Sequence, residues 1–363
     1  MNLRFKNNAC HCWKFLVSSC NQALRYIKEN QIIVAKYFYN KCNLREKLQC
    51  SKCCDMELTN KKCIITGSAQ GLGKAFANIL LDLGAQVCIS DVNVDAGNIA
   101  LTEFKKTYGE KNVCFVKCDV INDREFENLF DEAETYFGVD SVDMLVNNAG
   151  INTNSGWKKC MDVNIIAVMI GCEIALRRME ANSIKGTIIN IASMAGLMTG
   201  YGAYMAGYTV SKWGVIGLTR TLAWGSIHHG VNIKALCPAW ADTQLMNLSD
   251  ELPAYVHESV QKSVNASGGL MSPDYVAEGF TKLVTACENG SVLMVIKDTP
   301  FTIVPDTALF KLGGMVMTSK LIGKFFRLDL VTVWHEKMFA VAIFFLLIFI
   351  VIAIIISVLS VSC

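Results

Sequence analysis

From Lys62 onward the chain alternates short apolar runs with longer stretches in which apolar residues recur at helical spacing. The runs Lys62–Thr66, Gln86–Ser90, Val113–Lys117, Met144–Val146, Thr187–Ile191, Asn232–Leu236 and Val292–Ile296 are rich in Val and Ile and read as strands. Most are apolar at successive positions rather than alternate ones, which predicts burial on both faces. Between them Leu72–Leu83, Asp123–Phe137 and Tyr208–Ser226 read as helices. This alternation predicts a doubly wound α/β domain over 56–305, with a seven-stranded parallel sheet covered by helices on both sides. In such a fold the ligand site lies at the carboxyl ends of the strands.

Both ends of the chain break the pattern. Met338 to Cys363 holds no charged residue, and Phe339 to Leu359 is almost purely Ala, Val, Ile, Leu and Phe. About 20 apolar residues cross ~30 Å of hydrocarbon as a helix, so 338–361 predicts a C-terminal single transmembrane helix. Lys311, Lys320, Lys324, Arg327 and Lys337 precede it and nothing basic follows, which leaves the main domain on the cytosolic side. The expectation is a tail anchor in contact with membrane lipid, in the endoplasmic reticulum rather than the outer mitochondrial membrane, joined by a linker over 306–337. Residues 1–55 are basic, with ten Lys/Arg against three Asp/Glu. No uninterrupted apolar stretch there ends in a small-residue cleavage site, so a secretory leader is not expected. A flexible basic arm, or a start at Met56, fits the composition better.

Composition narrows the function. The chain of 363 residues is 52% apolar with a net charge of +2, which argues against binding nucleic acid by charge. Seven of its 16 cysteines fall in the N-terminal extension. Neither Cys50-Ser-Lys-Cys53 nor Cys10-His-Cys12 has a second pair at zinc-ligand spacing, so no metal is expected. The others are scattered singly, as at Cys63, Cys88 and Cys114, and read as reduced core thiols.

The first strand-to-helix turn reads Thr66-Gly67-Ser68-Ala69-Gln70-Gly71-Leu72-Gly73. Glycines there let backbone N–H groups approach a pyrophosphate at the positive end of a helix. Asp91 ends the second strand, 18 residues after Gly73. A carboxylate in that place accepts hydrogen bonds from ribose hydroxyls and repels a 2′-phosphate, and neither Gln70 nor Val92-Asn93 offers a cation. NAD is therefore expected rather than NADP.

With these motifs stand Cys118-Asp119-Val120, Asn147-Asn148-Ala149-Gly150, Asn164, Ser193 and Tyr208-Thr-Val-Ser-Lys212. Together they resemble the short-chain dehydrogenase/reductases, a Rossmann-fold family, over about residues 58–305. AGIN followed by Trp157, the run IINIASMAGLM and Leu236-Cys237-Pro238 are most similar to its NAD-dependent 15-hydroxyprostaglandin dehydrogenases.

Tyr208 and Lys212 are four residues apart, neighbours on one helix face. A free phenol has a pKa near ~10; a neighbouring ammonium and an oxidised nicotinamide lower it, so that Tyr208 can accept an alcohol proton as hydride leaves. Tyr204 and Tyr201 lack a lysine four residues on. The resemblance implies that Lys212 also holds the nicotinamide ribose, that Ser193 polarises the substrate oxygen and that Asn164 anchors a water relaying protons from Lys212. It further implies cofactor contacts from Gly67, Gln70, Gly71, Leu72, Gly73, Asp91, Val92, Cys118, Asp119, Val120, Asn148, Tyr208, Lys212, Ala241, Asp242 and Thr243. Asp119-Val120 would bracket the adenine and Asn148 would touch its side of the cofactor. Substrate contacts fall to Ser193, Met205 and Tyr208, and the family's usual homodimer would pair through the helices holding Asn164 and Tyr208.

Three departures bear on specificity. Pro238 is followed by Ala239 where the family commonly has glycine, and Met205 stands where prostaglandin dehydrogenases have a glutamine. The spacing from Ser193 to Tyr208 is 15 residues, about two longer than in those enzymes. The segment from Gln244 to Gly269 offers Leu245, Met246, Leu248, Leu252, Tyr255 and Val256 as an apolar lining. The function expected is NAD-dependent oxidation of a secondary hydroxyl on a lipophilic substrate, prostaglandin-like or another lipid alcohol. A hydroxysteroid or retinol dehydrogenase would share every catalytic residue, and a non-catalytic anchored dinucleotide-binding scaffold is the further alternative.

Overall fold

The computed structural model describes residues 58–198, 203–226, 228–247 and 252–305. The predicted extension, the linker and the predicted transmembrane helix all lie outside the described residues. Two units are distinguished along the chain, Met1–Ile303 and Val304–Cys363, and nearly all described residues belong to the first. Among the described residues no helix is long and apolar enough to cross a membrane.

Seven strands are parallel: β1 (Lys62–Thr66), β2 (Gln86–Asp91), β3 (Val113–Lys117), β4 (Met144–Asn147), β5 (Thr187–Ile191), β6 (Asn232–Pro238) and β7 (Val292–Val295). The seven-stranded expectation needs one correction. A two-residue strand, β8 (Thr302–Ile303), pairs antiparallel with β7, giving eight strands in the order β3-β2-β1-β4-β5-β6-β7-β8. Both β8 residues are exposed and follow Pro300 in a short turn back onto β7, and a strand of two residues between Pro300 and Pro305 is too short for a sequence pattern to mark.

Helices α1 (Gly71–Asp82), α2 (Val94–Tyr108), α3 (Asp123–Phe137), α4 (Trp157–Met161), α5 (Ala167–Ala181), α6 (Ala206–Ser226), α7 (Ala254–Ala266) and α8 (Pro273–Ala286) connect the strands. Their starts follow local chemistry. Asn93 accepts from the Ala96 N–H to open α2, Asn122 accepts from the Arg124 and Glu125 N–H groups to open α3, and Ser272 caps α8 with Pro273 behind it.

The sheet is buried on both faces, as the unbroken apolar strands predict. One face meets α1 and α8, whose Phe76 and Phe280 rings stack at 4.5 Å beneath Ile65, Ile89 and Val146. Ile64, Leu145 and Ile188 alternate with these and are also fully buried, as are Phe126 and Phe130 of α3. All eight described cysteines are buried. The strand order runs outward from β1 to β3 and restarts at β4 on the other side of β1. The two loops leaving β1 and β4 therefore part at their carboxyl ends, and a cleft opens there.

Candidate active site

That cleft has a volume of about 630 Å³. Its floor is the glycine turn after β1. Gly67 and Gly71 hold φ of +60° and +57°, a left-handed region that costs glycine little. A Cβ on Gly67 would lie 2.8 Å from the Ala149 Cα, and one on Gly73 would lie 2.4 Å from the Gly67 carbonyl oxygen. The turn is thus a cradle that only backbone can line, with the amino end of α1 opening into it. The Asn148 amide donates to the Thr66 and Gly67 carbonyls at 2.9 and 2.8 Å, while Thr66 Oγ1 accepts from the Asn148 and Ala149 N–H groups at 3.1 Å each. Asn148 therefore lines the cleft with its amide donor committed to holding the turn.

Asp91 stands at the far end. Its carboxylate accepts from the Ala69 N–H at 3.1 Å and the Asn93 N–H at 3.0 Å. A carboxylate has about four acceptor positions, so capacity remains for two hydroxyls. Val92, Cys118, Asp119 and Val120 line the same end. Burial pushes the Cys118 thiol up to about 12, so it stays neutral. Among the described residues the charged side chains lining the cleft are Asp91, Asp119, Lys159 and Lys212, and none of these is a cation at the Asp91 end to receive a 2′-phosphate. The cradle and this carboxylate fit a dinucleotide ending in an unphosphorylated ribose.

At the other end α6 carries Tyr208 and Lys212, both buried. The Lys212 ammonium lies 5.7 Å from the centre of the Tyr208 ring and donates to the Ile191 carbonyl at 2.9 Å. Burial lowers its pKa to about 8. Ser193 follows β5, and its Oγ accepts from the Ala195 N–H at 3.1 Å, leaving its own proton to donate. Cys160, Ala195, Met205 and Tyr208 form an apolar cluster.

The cleft brings together Gly67, Gln70, Gly71, Leu72, Asp91, Val92, Cys118, Asp119, Val120, Asn148, Ser193, Met205, Tyr208, Lys212, Ala241 and Thr243. Three expected residues do not line it. Gly73 packs under the turn, and Asp242 is exposed with its N–H donating to the Met271 carbonyl at 2.8 Å. Asn164 is fully buried in a π-helical turn, Asp162–Ile166, between α4 and α5. Its side chain accepts from the Ile151 N–H at 2.8 Å and donates to the Ile151 carbonyl at 2.9 Å and Ser211 Oγ at 3.3 Å. It ties the segment after β4 to α6 rather than facing the cleft.

Of the apolar lining expected after Asp242, Leu245 and Met246 line the cleft, Leu248 lies outside the described residues, and Leu252, Tyr255 and Val256 do not line it. Val260, one helical turn beyond Val256 on α7, lines it instead. Sequence also missed Gln244, whose Oε1 accepts from Gln70 Nε2 at 2.8 Å across the cleft. These residues are 174 apart in the chain, and no local pattern signals the pair. Ala239 keeps a negative φ, so its methyl group brings no backbone strain.

Residues 61–252 match the short chain dehydrogenase family. The 15-hydroxyprostaglandin dehydrogenase [NAD(+)] of Mus musculus is 31% identical over 249 residues, covering 66% of this chain and 91% of that protein. A 3beta-hydroxysteroid dehydrogenase of Eggerthella lenta is 36% identical over 197 residues, covering 52% of this chain and 74% of its own. Among solved structures, a short-chain type dehydrogenase/reductase from Mycobacterium marinum superposes with a TM-score of 0.59 at 23% identity, covering 66% of this chain and 95% of its own, and so shares the fold. The chain belongs to the short-chain dehydrogenase/reductase family and is an oxidoreductase acting on CH–OH groups.

Proposed function

We propose that the protein oxidises a secondary hydroxyl on a lipophilic substrate to the ketone, with NAD as acceptor and Tyr208 as base. The observation that carries this reading is the cleft itself, with the Asp91 carboxylate at one end and the buried Tyr208–Lys212 pair at the other. NAD supplies the hydride acceptor. Tyr208 takes the hydroxyl proton, and Ser193 donates a hydrogen bond to the same oxygen as it becomes a carbonyl. Lys212 stabilises the phenolate: with its pKa lowered to about 8 it is still mostly ammonium at neutral pH. Asn164 holds Ile151 and α6 in register behind it. Met205 and its apolar neighbours replace a polar substrate contact with a hydrophobic one, which suits a lipid. The similarity to a hydroxysteroid dehydrogenase favours steroid alcohols as the second reading.

The test is NADH formation by the full-length protein with prostaglandins, hydroxy fatty acids, hydroxysteroids and retinol. Tyr208→Phe should retain cofactor binding and lose at least ~10² in kcat, the usual contribution of a general base. Bound cofactor with no turnover across the panel would overturn the reading in favour of a dinucleotide-binding scaffold.

A further inference from the structure

The charges lining the cleft divide by position. Asp91 ends β2 and Asp119 follows β3, at the adenine side of the proposed site. Lys212 is buried beside Tyr208. Lys159 remains, and it lies on the substrate side. It belongs to α4, which abuts the start of α6: a Cβ on Gly207 would lie 2.9 Å from the Trp157 Cβ, and Cys160 packs with Met205 and Tyr208. Lys159 is exposed at the rim and makes no ion pair or side-chain hydrogen bond among the described residues. Around it the wall is apolar, from Leu245, Met246 and Val260, or amide, from Asn152 and Asn247. Among the described residues no carboxylate lines this half of the cleft. An ammonium at the mouth of an apolar channel attracts an anion on the tail of whatever enters. Lys158, next along, does not line the cleft.

We propose that Lys159 is a specificity-determining residue that pairs with a carboxylate, so that the preferred substrate is an amphipathic hydroxy acid with its acid group at the rim and its secondary hydroxyl at Tyr208. This rests on the dehydrogenase reading of the same cleft. Neutral sterols and retinol have no group for Lys159, whereas a fatty-acid-derived alcohol does.

The probes are 12-hydroxystearate and its methyl ester as substrates, with palmitate and methyl palmitate as non-reacting ligands read by the fluorescence of the enzyme–NADH complex. The full-length wild type should prefer the acid over the ester by about fivefold in kcat/KM and in Kd, the factor expected for ~1 kcal/mol at an exposed ion pair. Lys159→Gln should bring the acid-to-ester ratio to about one, Lys159→Arg should keep it, and Lys158→Gln should not affect it. Equal treatment of acid and ester by the wild type would overturn the proposal. So would a Lys159→Gln variant that weakens both alike, since that marks a structural role. If the palmitate preference depends on Lys159 but no hydroxy acid turns over, the anion site stands and the dehydrogenase reading fails.

Discussion

Buried lysines have different work at two places in this molecule. Lys212 serves the cleft, whereas Lys234, in the middle of β6, donates to the Leu283 and Val284 carbonyls at 3.1 and 3.0 Å, near the end of α8. Burial lowers its pKa from 10.5 to about 8. The unfolded chain therefore binds more protons than the folded one between pH 8 and 10.5, and stability rises with pH across that window. Below pH 8 both states hold the proton and the penalty is present in full. In Lys234→Met its share of that dependence should vanish, leaving the share of Lys212, whose pKa burial also lowers to about 8. Denaturant melts of the two proteins should diverge by up to ~1.4 kcal/mol per pH unit in the window, with the wild type gaining. Parallel curves would rule out Lys234 as the titrating group. Asn164→Ala removes a side chain that satisfies both polar groups of the Ile151 peptide. It should cost ~1–3 kcal/mol of stability and lower kcat through a displaced α6, measured by thermal melting beside turnover.

Two contacts between elements hold the cleft in shape. The first is the close passage of Gly73 under the Gly67 carbonyl, 2.4 Å from where a Cβ would be. Gly73→Ala must push the turn away from β1, at a cost of ~1–3 kcal/mol for an overpacked site. Its expected signature is a NADH affinity reduced at least tenfold with the circular dichroism spectrum retained. The second is the Gln70–Gln244 bond, which joins the glycine turn to the loop after β6. That loop is also held from the other side, where Asn152 and Asn154 donate to the Leu245 and Asn247 carbonyls at 3.1 and 2.9 Å. Gln244→Ala should speed NADH release severalfold, about the ~1 kcal/mol of one net hydrogen bond, with little change in kcat unless release limits turnover. Stopped-flow dissociation measures it directly.

For the whole molecule two proposals remain, and each has a direct measurement. The uncharged stretch 338–361 should anchor the protein, so deleting it should move the chain from the membrane pellet to the supernatant at high salt with its cleft chemistry intact. Ile166, Met169, Val210 and Trp213 are large apolar side chains exposed on the π turn, α5 and α6. Exposed apolar side chains on the helices that carry the site suit a homodimer. Met169→Glu should halve the mass by light scattering if they form one. An unchanged mass would place the dimer elsewhere or exclude it.

The apolar strands, the α3 limits, the glycine turn, Asp91, Ser193 and the Tyr208–Lys212 pair were all legible in the sequence, because each depends on a local pattern. Burial on both faces leaves an unbroken apolar run, a turn against another backbone demands glycine, and a helix brings residues four apart together. The exposed β8, the burial of Asn164 behind the cleft, the Gln70–Gln244 contact and the choice of Val260 over Val256 were not legible. They are settled by where distant segments meet, and a side chain's direction there depends on the packing of elements that sequence spacing does not encode. Lys159 belongs to the same group. The sequence shows two adjacent lysines, and only the crossing of α4 over the start of α6 turns one of them into the cleft.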